Sequence, residues 1–272
     1  MDAPLSLSPL LTIDRLTMRF GGLTAVNAVS LQAQARQITA IIGPNGAGKT
    51  TLFNCLTGFY RPTAGTIRLQ CQGEIIDVAG LPAYKIARLG IARTFQNIRL
   101  FSTMTVLENL LVAEHRHLMP ASGYSFAGLL GLPNYRAAEK AALEKARLWL
   151  DRLMLVKVAD RLAGSLPYGM QRRLEIARVM CTDPVLLCLD EPAAGLNPAE
   201  AIALREMIAK IRDEFQIAVL LVEHNMSVVM EISDHIVVMD YGKHIAAGSP
   251  DAIRHDPAVI RAYLGEPEAQ VA

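Results

Sequence analysis

The hydrophobic pattern opens as strands, turns helical from Leu100, and returns to strands at the apolar run VLLCLD. Residues 10–20, LLTIDRLTMRF, and 29–33, VSLQA, read as strands, with Gly21 and Gly22 as the turn after the first. The run ITAIIG is apolar on both faces, as in a strand covered on both sides. GTIRLQCQGEIID alternates apolar and polar residues around a central glycine, which predicts a half-exposed hairpin. The opening section therefore mixes antiparallel and parallel strands.

TVLENLLVAEHRHL and YRAAEKAALEKARLWLDRLMLV carry a helical period, and the second places Leu143, Ala146, Leu150 and Leu153 on one face. Between them, MPASGYSFAGLLGLPN is rich in Gly and Pro and reads as a loop with a short apolar turn. VLLCLD, IAVLLVEH and HIVVMDYGKHIAAG then return as strands, the first two separated by the helix PAEAIALREMIAKIRDEF. Strands alternating with helices imply a parallel sheet, so a helical lobe interrupts one α/β domain. No internal repeat is visible.

Composition narrows this picture in three ways. A chain of 272 residues buries a substantial core without disulfides, and Cys55, Cys71, Cys181 and Cys188 form no C-x-x-C pair, which points to a reducing compartment. The start, MDAPLSLSPL, has an acid where a signal peptide carries positive charge, so secretion is not expected. No apolar run reaches the roughly 18 residues that span a bilayer, yet mean hydropathy is +0.26, which suggests large buried sheets or an apolar docking surface. The formal net charge of +1 offers no basic field for nucleic acid, and none is expected as a partner.

The chemistry is concentrated in a few motifs. GPNGAGKT, Gly43 to Thr50, fits G-x-x-x-x-G-K-[ST] between a predicted strand and a predicted helix. Its glycines let backbone N–H groups converge on phosphate oxygens, Lys49 reaches the β- and γ-phosphates, and the Thr50 hydroxyl is placed to ligate Mg²⁺. VLLCLDE puts Asp190 at the carboxyl end of an apolar strand, where ligands bind in open α/β sheets, and Asp190 would hold Mg²⁺. Glu191 follows, placed to orient or deprotonate a water attacking the γ-phosphate. His224 ends IAVLLVEH at the same expected sheet edge. Gln96 in RTFQN and His224 are ordinary polar residues taken singly; their order along the chain raises both. SLPYGMQRRLEIAR, Ser165 to Arg178, begins a basic amphipathic helix with a proline and a tyrosine at its entry.

That order resembles the nucleotide-binding subunit of an ATP-binding cassette (ABC) transporter, over nearly the whole chain. The resemblance implies an α/β P-loop NTPase (RecA-like) core with an antiparallel β-subdomain, at approximately 1–97 and 166–248. It implies an inserted α-helical subdomain at approximately 98–165 and a C-terminal helical tail at 249–272. It implies ATP and Mg²⁺, bound by a P-loop of Gly43, Pro44, Asn45, Gly46, Ala47, Gly48, Lys49, Thr50 and Thr51. Metal contacts are implied for Thr50, Gln96 and Asp190, and catalytic roles for Glu191, His224 and Gln96. Phe20 falls where the family stacks an aromatic on adenine. LPYGM occupies the family's L-S-G-G-Q signature, whose helix N-terminus faces the γ-phosphate of a second cassette, so Pro167, Tyr168 and Gly169 would meet nucleotide. Pro167 stands where the family has serine, removing a hydroxyl donor and a backbone N–H; a hydrogen bond to a charged group is worth about 1.5–3 kcal/mol. Asn197 stands where the family often has aspartate.

MRFGGLTAVN, RTFQNIRLF, YGMQRRLEIAR, DEPAAGLNP and GSPDAIRHDPAVIRAYLGE are similar to the ATP-binding proteins of branched-chain amino acid importers. That subgroup implies a second, non-identical ATPase, two polytopic membrane subunits, an external binding protein, and a peripheral position on the cytoplasmic face of the inner membrane. Met104 to Leu111 and the 115–135 loop are the expected contacts with the membrane subunits. Importers of urea or short amides have similar ATPases and remain an alternative. So do a soluble cassette outside transport, a small-molecule kinase and a nucleotide-sensing regulatory subunit.

Overall fold

The strands run, in chain order, Leu11–Phe20 (β1), Leu23–Ala33 (β2), Ile38–Ile42 (β3), Ala64–Cys71 (β4), Glu74–Asp77 (β5), Ile91–Arg93 (β6), Leu186–Asp190 (β7), Ala218–Val222 (β8), His235–Asp240 (β9) and Lys243–Gly248 (β10). This computed structural model describes residues 9–71, 73–121 and 133–264. β1, β2, β4 and β5 form an antiparallel sheet in the order β2-β1-β4-β5, and the rest form a second sheet, β10-β9-β3-β8-β7-β6. In the second sheet every pairing is parallel except β10 on β9. Every residue of β3, β7 and β8 is buried, the state that an unbroken apolar run predicts for a strand covered on both faces. The predicted mixed α/β fold with an antiparallel sheet is what forms. β2 starts six residues earlier than the alternation indicates, because Leu23 to Val26 pair with Phe20 to Met18 directly across the Gly21–Gly22 turn.

Among the described residues two compact units can be distinguished. One comprises the residues up to Arg93, Val185–Ala193 and those from Ala201 on; the other comprises Thr94–Pro184 and Ala194–Glu200. Both sheets lie in the first unit, and Leu52, Phe53, Leu56, Ile67, Leu186 and Leu220 are fully buried in its core. Its helices include α1, Lys49–Leu56, and α2, Ala83–Arg88.

The second unit is helical: α3, Val106–Ala113; α4, His115–Ala121; α5, Pro133–Arg152; and α6, Tyr168–Met180. α3 is set by a capping box in which the Thr105 hydroxyl accepts from Glu108 N–H (3.1 Å) and Glu108 accepts from Thr105 N–H (2.7 Å). α5 stops at Arg152 instead of running on to Val156. Met154 takes a left-handed φ of 57°, and Leu155 N–H donates back to Leu150 O at 2.7 Å, closing a Schellman turn without a glycine to announce it. The buried face of α5 is Ala142, Ala146, Trp149 and Leu150; Leu143 is only half-buried. Of the loop expected between α4 and α5, residues 122–132 lie outside the described residues.

The grouping differs from the sequence boundaries at residues 94–97, 166–184 and 194–200. Residues 166–184, expected with the core, fall in the helical unit, because α6 buries Leu174, Ile176, Ala177 and Met180 and packs on α3 and α5. Further helices complete the chain: α7, Pro198–Phe215; α8, Met226–Ile232; and the expected tail as α9, Pro250–Arg254, with α10, Pro257–Leu264. No helix among the described residues is long and apolar enough to cross a membrane.

Candidate functional site

Gly43 to Gly48 leave the end of β3 and enter α1, and the loop's shape is enforced by its surroundings. A Cβ on Gly43 (φ 151°) would lie 2.0 Å from the Met239 carbonyl oxygen, and one on Gly48 (φ 95°) would lie 2.3 Å from that of Ala25. Only glycine lets the loop pass this close to β9 and β2. Ala47 O accepts from Gly242 N–H at 3.1 Å, which ties the loop to the β9–β10 turn as well. A Cβ on Gly46 (φ 82°) would meet nothing within 4 Å, so the open side of the loop is at its middle, beside exposed Asn45.

Lys49 is buried, with Nζ 2.6 Å from Gly43 O and 2.9 Å from Pro44 O. Burial lowers its pKa, while the nearby Glu191 and Asp190 carboxylates pull it back up. An anion above the loop would relieve that cost. Thr50 is exposed in the first turn of α1 and Thr51 is half-buried. A loop of converging amides, a helix N-terminus and a buried ammonium together form a phosphate cradle.

Asp190 ends β7, buried at 3%, and its Oδ2 lies 2.6 Å from the Arg93 guanidinium. Arg93 also donates to Asn54 Oδ1 (2.6 Å) and Thr57 Oγ1 (2.9 Å), and so joins β7 to α1. Glu191 turns away from the strand with φ 46°, a left-handed conformation rare for a non-glycine residue, and its N–H donates to Val222 O at 2.8 Å. In this position its Oε2 is 3.6 Å from His224 Nδ1. His224 lies two residues past the end of β8. Glu223 before it is buried, accepting from Ala193 N–H (2.9 Å) and His224 N–H (3.3 Å), and burial raises its pKa. In the first unit, then, the P-loop, Asp190, Glu191 and His224 come together.

Phe20, also in the first unit, is 42% exposed at the end of β1 and meets Tyr60 edge-on, with ring centroids 5.2 Å apart. An exposed ring held by a second aromatic presents a face for stacking.

The second unit carries Gln96, Pro167, Tyr168 and Gly169. Pro167 is the N-cap of α6, and its carbonyl accepts from Met170 and Gln171 N–H, both at 3.0 Å. Gly169 is not needed for backbone conformation; a Cβ there would meet the Glu200 carboxylate, with Oε1 at 2.7 Å. Asn197 caps α7 in a reciprocal pair with Glu200: its Oδ1 accepts from Glu200 N–H (2.9 Å) and its N–H donates to Glu200 Oε2 (3.1 Å). Asparagine serves this cap as well as aspartate does. Gln96 is brought to α6 by Arg172, whose guanidinium donates to the Phe95 and Gln96 carbonyls.

The ABC transporter family profile matches residues 26–194, and a profile for the branched-chain amino acid ATP-binding cassette transporter matches 243–269. The chain belongs to the ABC transporter family. The cassette is 57% identical to the high-affinity branched-chain amino acid transport ATP-binding protein BraF of Pseudomonas aeruginosa, and 55% identical to LivG of Escherichia coli, over 95% of this chain and 98% of each relative. Among solved structures, the ADP conformation of MJ1267, an ATP-binding cassette of an ABC transporter, matches with TM-score 0.80 at 32% identity, over 95% of this chain and all of that one. The cassette is a nucleotide-binding ATPase.

Among the described residues no cluster of three or more His, Cys, Asp or Glu side chains could hold a metal by itself. The donors that Thr50 and Asp190 offer are hard oxygens, which suit Mg²⁺; that ion takes one or two protein ligands and fills the rest of its octahedron with phosphate oxygens and water. Sequence reading missed five residues: Arg93, Tyr60 and Glu223 in the first unit and the pair Arg172–Glu175 in the second. Arg93 stands three residues before Gln96 and Glu223 immediately before His224, so proximity to a motif was the available signal. The rest depend on tertiary contacts.

Proposed function

We propose that this cassette is the ATP-hydrolysing subunit of a branched-chain amino acid importer, on the cytoplasmic face of the inner membrane. It works with two polytopic membrane subunits, an external binding protein and a second, non-identical cassette. The carrying observation is the Glu191 carboxylate, held in a left-handed turn beside His224 and close to Lys49, in a chain 57% identical to BraF.

In this reading Gly43 to Thr51 cradle the phosphates, Lys49 neutralises the β- and γ-oxygens, and Phe20 stacks on adenine. Thr50, Asp190 and Gln96 would hold Mg²⁺, which neutralises charge on the phosphates when bound. Glu191 takes the proton of the attacking water, and His224 orients Glu191 and the γ-phosphate. Arg93 keeps the Asp190 carboxylate facing α1. Pro167, Tyr168 and Gly169 present the N-terminus of α6 to the nucleotide of the second cassette, and Met104 to Leu111 contact the membrane subunits. The missing serine hydroxyl at Pro167 favours a partner with a fuller signature, hence two unequal ATP sites.

Affinity purification of the tagged chain from detergent-solubilised native membranes with ATP, followed by mass spectrometry, tests the assembly. Two polytopic subunits and a different cassette are expected. Recovery with ribosomes or DNA, or in the soluble fraction alone, would exclude the transporter reading. Isothermal titration of the purified external protein with leucine, isoleucine, valine and urea then separates amino acid import from urea import.

A further inference from the structure

The segment from Thr94 to Phe101 has no helix or strand of its own, and backbone polar groups of Phe95, Gln96 and Arg99 within it are met by side chains of α6. Arg172 is fully buried; its Nη1 donates to Phe95 O (2.7 Å) and Glu175 Oε2 (2.7 Å), and its Nη2 to Gln96 O (2.8 Å) and the Tyr168 hydroxyl (3.1 Å). Glu175, equally buried, accepts from Phe95 N–H (3.3 Å) and Arg99 N–H (3.2 Å) through Oε1. One turn further on, Arg178 donates to Arg99 O, and the Arg99 guanidinium stacks over Phe95, 4.3 Å from the ring centroid. Tyr168 in turn touches the Gly195 turn, where a Cβ would stand 3.2 Å from its ring. Two segments of the second unit, at Gln96 and at the start of α6, thus share one buried ion pair, and Tyr168, which accepts from Arg172, lies beside Gly195.

We propose that Arg172 and Glu175 are positioning residues that lock the Gln96 segment to the start of α6, so that the two move as one piece. This rests on the reading above, in which Gln96 serves the cassette's own nucleotide and the start of α6 serves the partner's. Under that reading, a nucleotide that shifts Gln96 shifts the helix end offered to the second site, and the state of one site reaches the other without passing through the membrane subunits. Stability alone does not call for this pair: a buried ion pair is often no better than well-packed apolar residues of similar volume. An arginine fork does supply what an apolar pair lacks, a fixed geometry on two consecutive carbonyls.

The test uses the full-length chain at a concentration where it is monomeric, with AMP-PNP and Mg²⁺ as the ligand and backbone hydrogen–deuterium exchange as the readout. In the wild type, AMP-PNP should slow exchange at both 95–99 and 168–171. In the double variant Arg172→Met/Glu175→Leu, the effect should remain at 95–99 and vanish at 168–171. In the assembled transporter the same variant should lower kcat on the order of tenfold with KM for ATP little changed. Arg172→Lys keeps the charge and loses the fork, and it should show the same decoupling if the double variant does not fold. Undiminished protection at 168–171 together with wild-type kcat would overturn the clamp alone. No response at 95–99 in the wild type would overturn the placement of Gln96 at the nucleotide, and the clamp with it.

Discussion

The Arg93 guanidinium and the Asp190 carboxylate lie 2.6 Å apart with little exposure of either, and the same guanidinium reaches Asn54 and Thr57 on α1 and just beyond its end. Arg93 therefore joins the strand that carries Asp190 to the helix that follows the P-loop. Removing one partner from such a pair leaves the other charge buried, at a cost of about 3–5 kcal/mol. Arg93→Met should lose stability in that range in urea denaturation. Adding Asp190→Asn should recover part of it, since an amide is cheaper to bury than an uncompensated carboxylate. An Arg93→Met variant of near wild-type stability would mean that the pair is not what holds β7 to α1.

Glu191 offers a separation of stability from activity. Its φ of 46° places a non-glycine residue in the left-handed region, a strain of about 1–3 kcal/mol, retained at a site where the carboxylate faces His224. Glu191→Gly should stabilise the fold by about 1 kcal/mol, after the entropy that glycine loses on folding, and abolish hydrolysis. Glu191→Gln should keep both the strain and ATP binding and also stop turnover. Thermal unfolding of the two variants beside their ATPase rates checks this; normal hydrolysis by the Gln variant would remove the general-base assignment.

The P-loop glycines are not equivalent. Gly46 has a positive φ but open space, so Gly46→Ala should cost about 1 kcal/mol from strain alone. Gly48 adds a 2.3 Å approach to the Ala25 carbonyl, and that backbone cannot yield cheaply. Gly48→Ala should cost about 3 kcal/mol or more and lose ATP binding, as read by urea denaturation and by fluorescence of a labelled ATP analogue.

How far the sequence could be read follows from what each feature depends on. The three buried strands β3, β7 and β8 were legible because an unbroken apolar run of strand length has few other uses, and the P-loop was legible because its spacing is set by phosphate geometry. The end of α5 was not, because its left-handed residue is Met154 where a glycine would have marked the stop. Arg172 and Glu175 looked like the polar face of an amphipathic helix. They are fully buried, since the Gln96 segment offers them two carbonyls and two amides, and no periodicity records a partner more than seventy residues away.

Cysteine reactivity follows burial. Burial raises the thiol pKa of Cys55 to about 11 and those of Cys181 and Cys188 to about 12, whereas Cys71 is half-buried near the tip of the β4–β5 hairpin. The thiolate is the reacting species, so iodoacetamide at about pH 8 should modify Cys71 first in the native protein and the other three only after unfolding. Peptide mass spectrometry of briefly labelled protein reads this directly. Early labelling of Cys188 would mean that β7 opens without global unfolding.

Glu223 should leave a mark on the pH dependence of stability. Burial raises its folded pKa above the ordinary 4.5, and the N–H donors of Ala193, Asn225 and His224 offset this only in part. A raised carboxyl pKa means that the folded state holds the proton more tightly than the unfolded chain does. Its contribution is therefore fully present below about pH 4.5, is lost as pH rises through the folded value, and is constant above that. Glu223→Gln cannot ionise, so its stability relative to the wild type should rise across this window and stay level on either side. If the variant instead runs parallel to the wild type from about pH 4 to 8, the Glu223 carboxylate is as well stabilised by its amide donors as by water. Its place between Ala193 and His224 would then be a matter of hydrogen bonding alone, and the Gln variant, which cannot accept from both amides with two oxygens, should still loosen the His224 loop to hydrogen exchange.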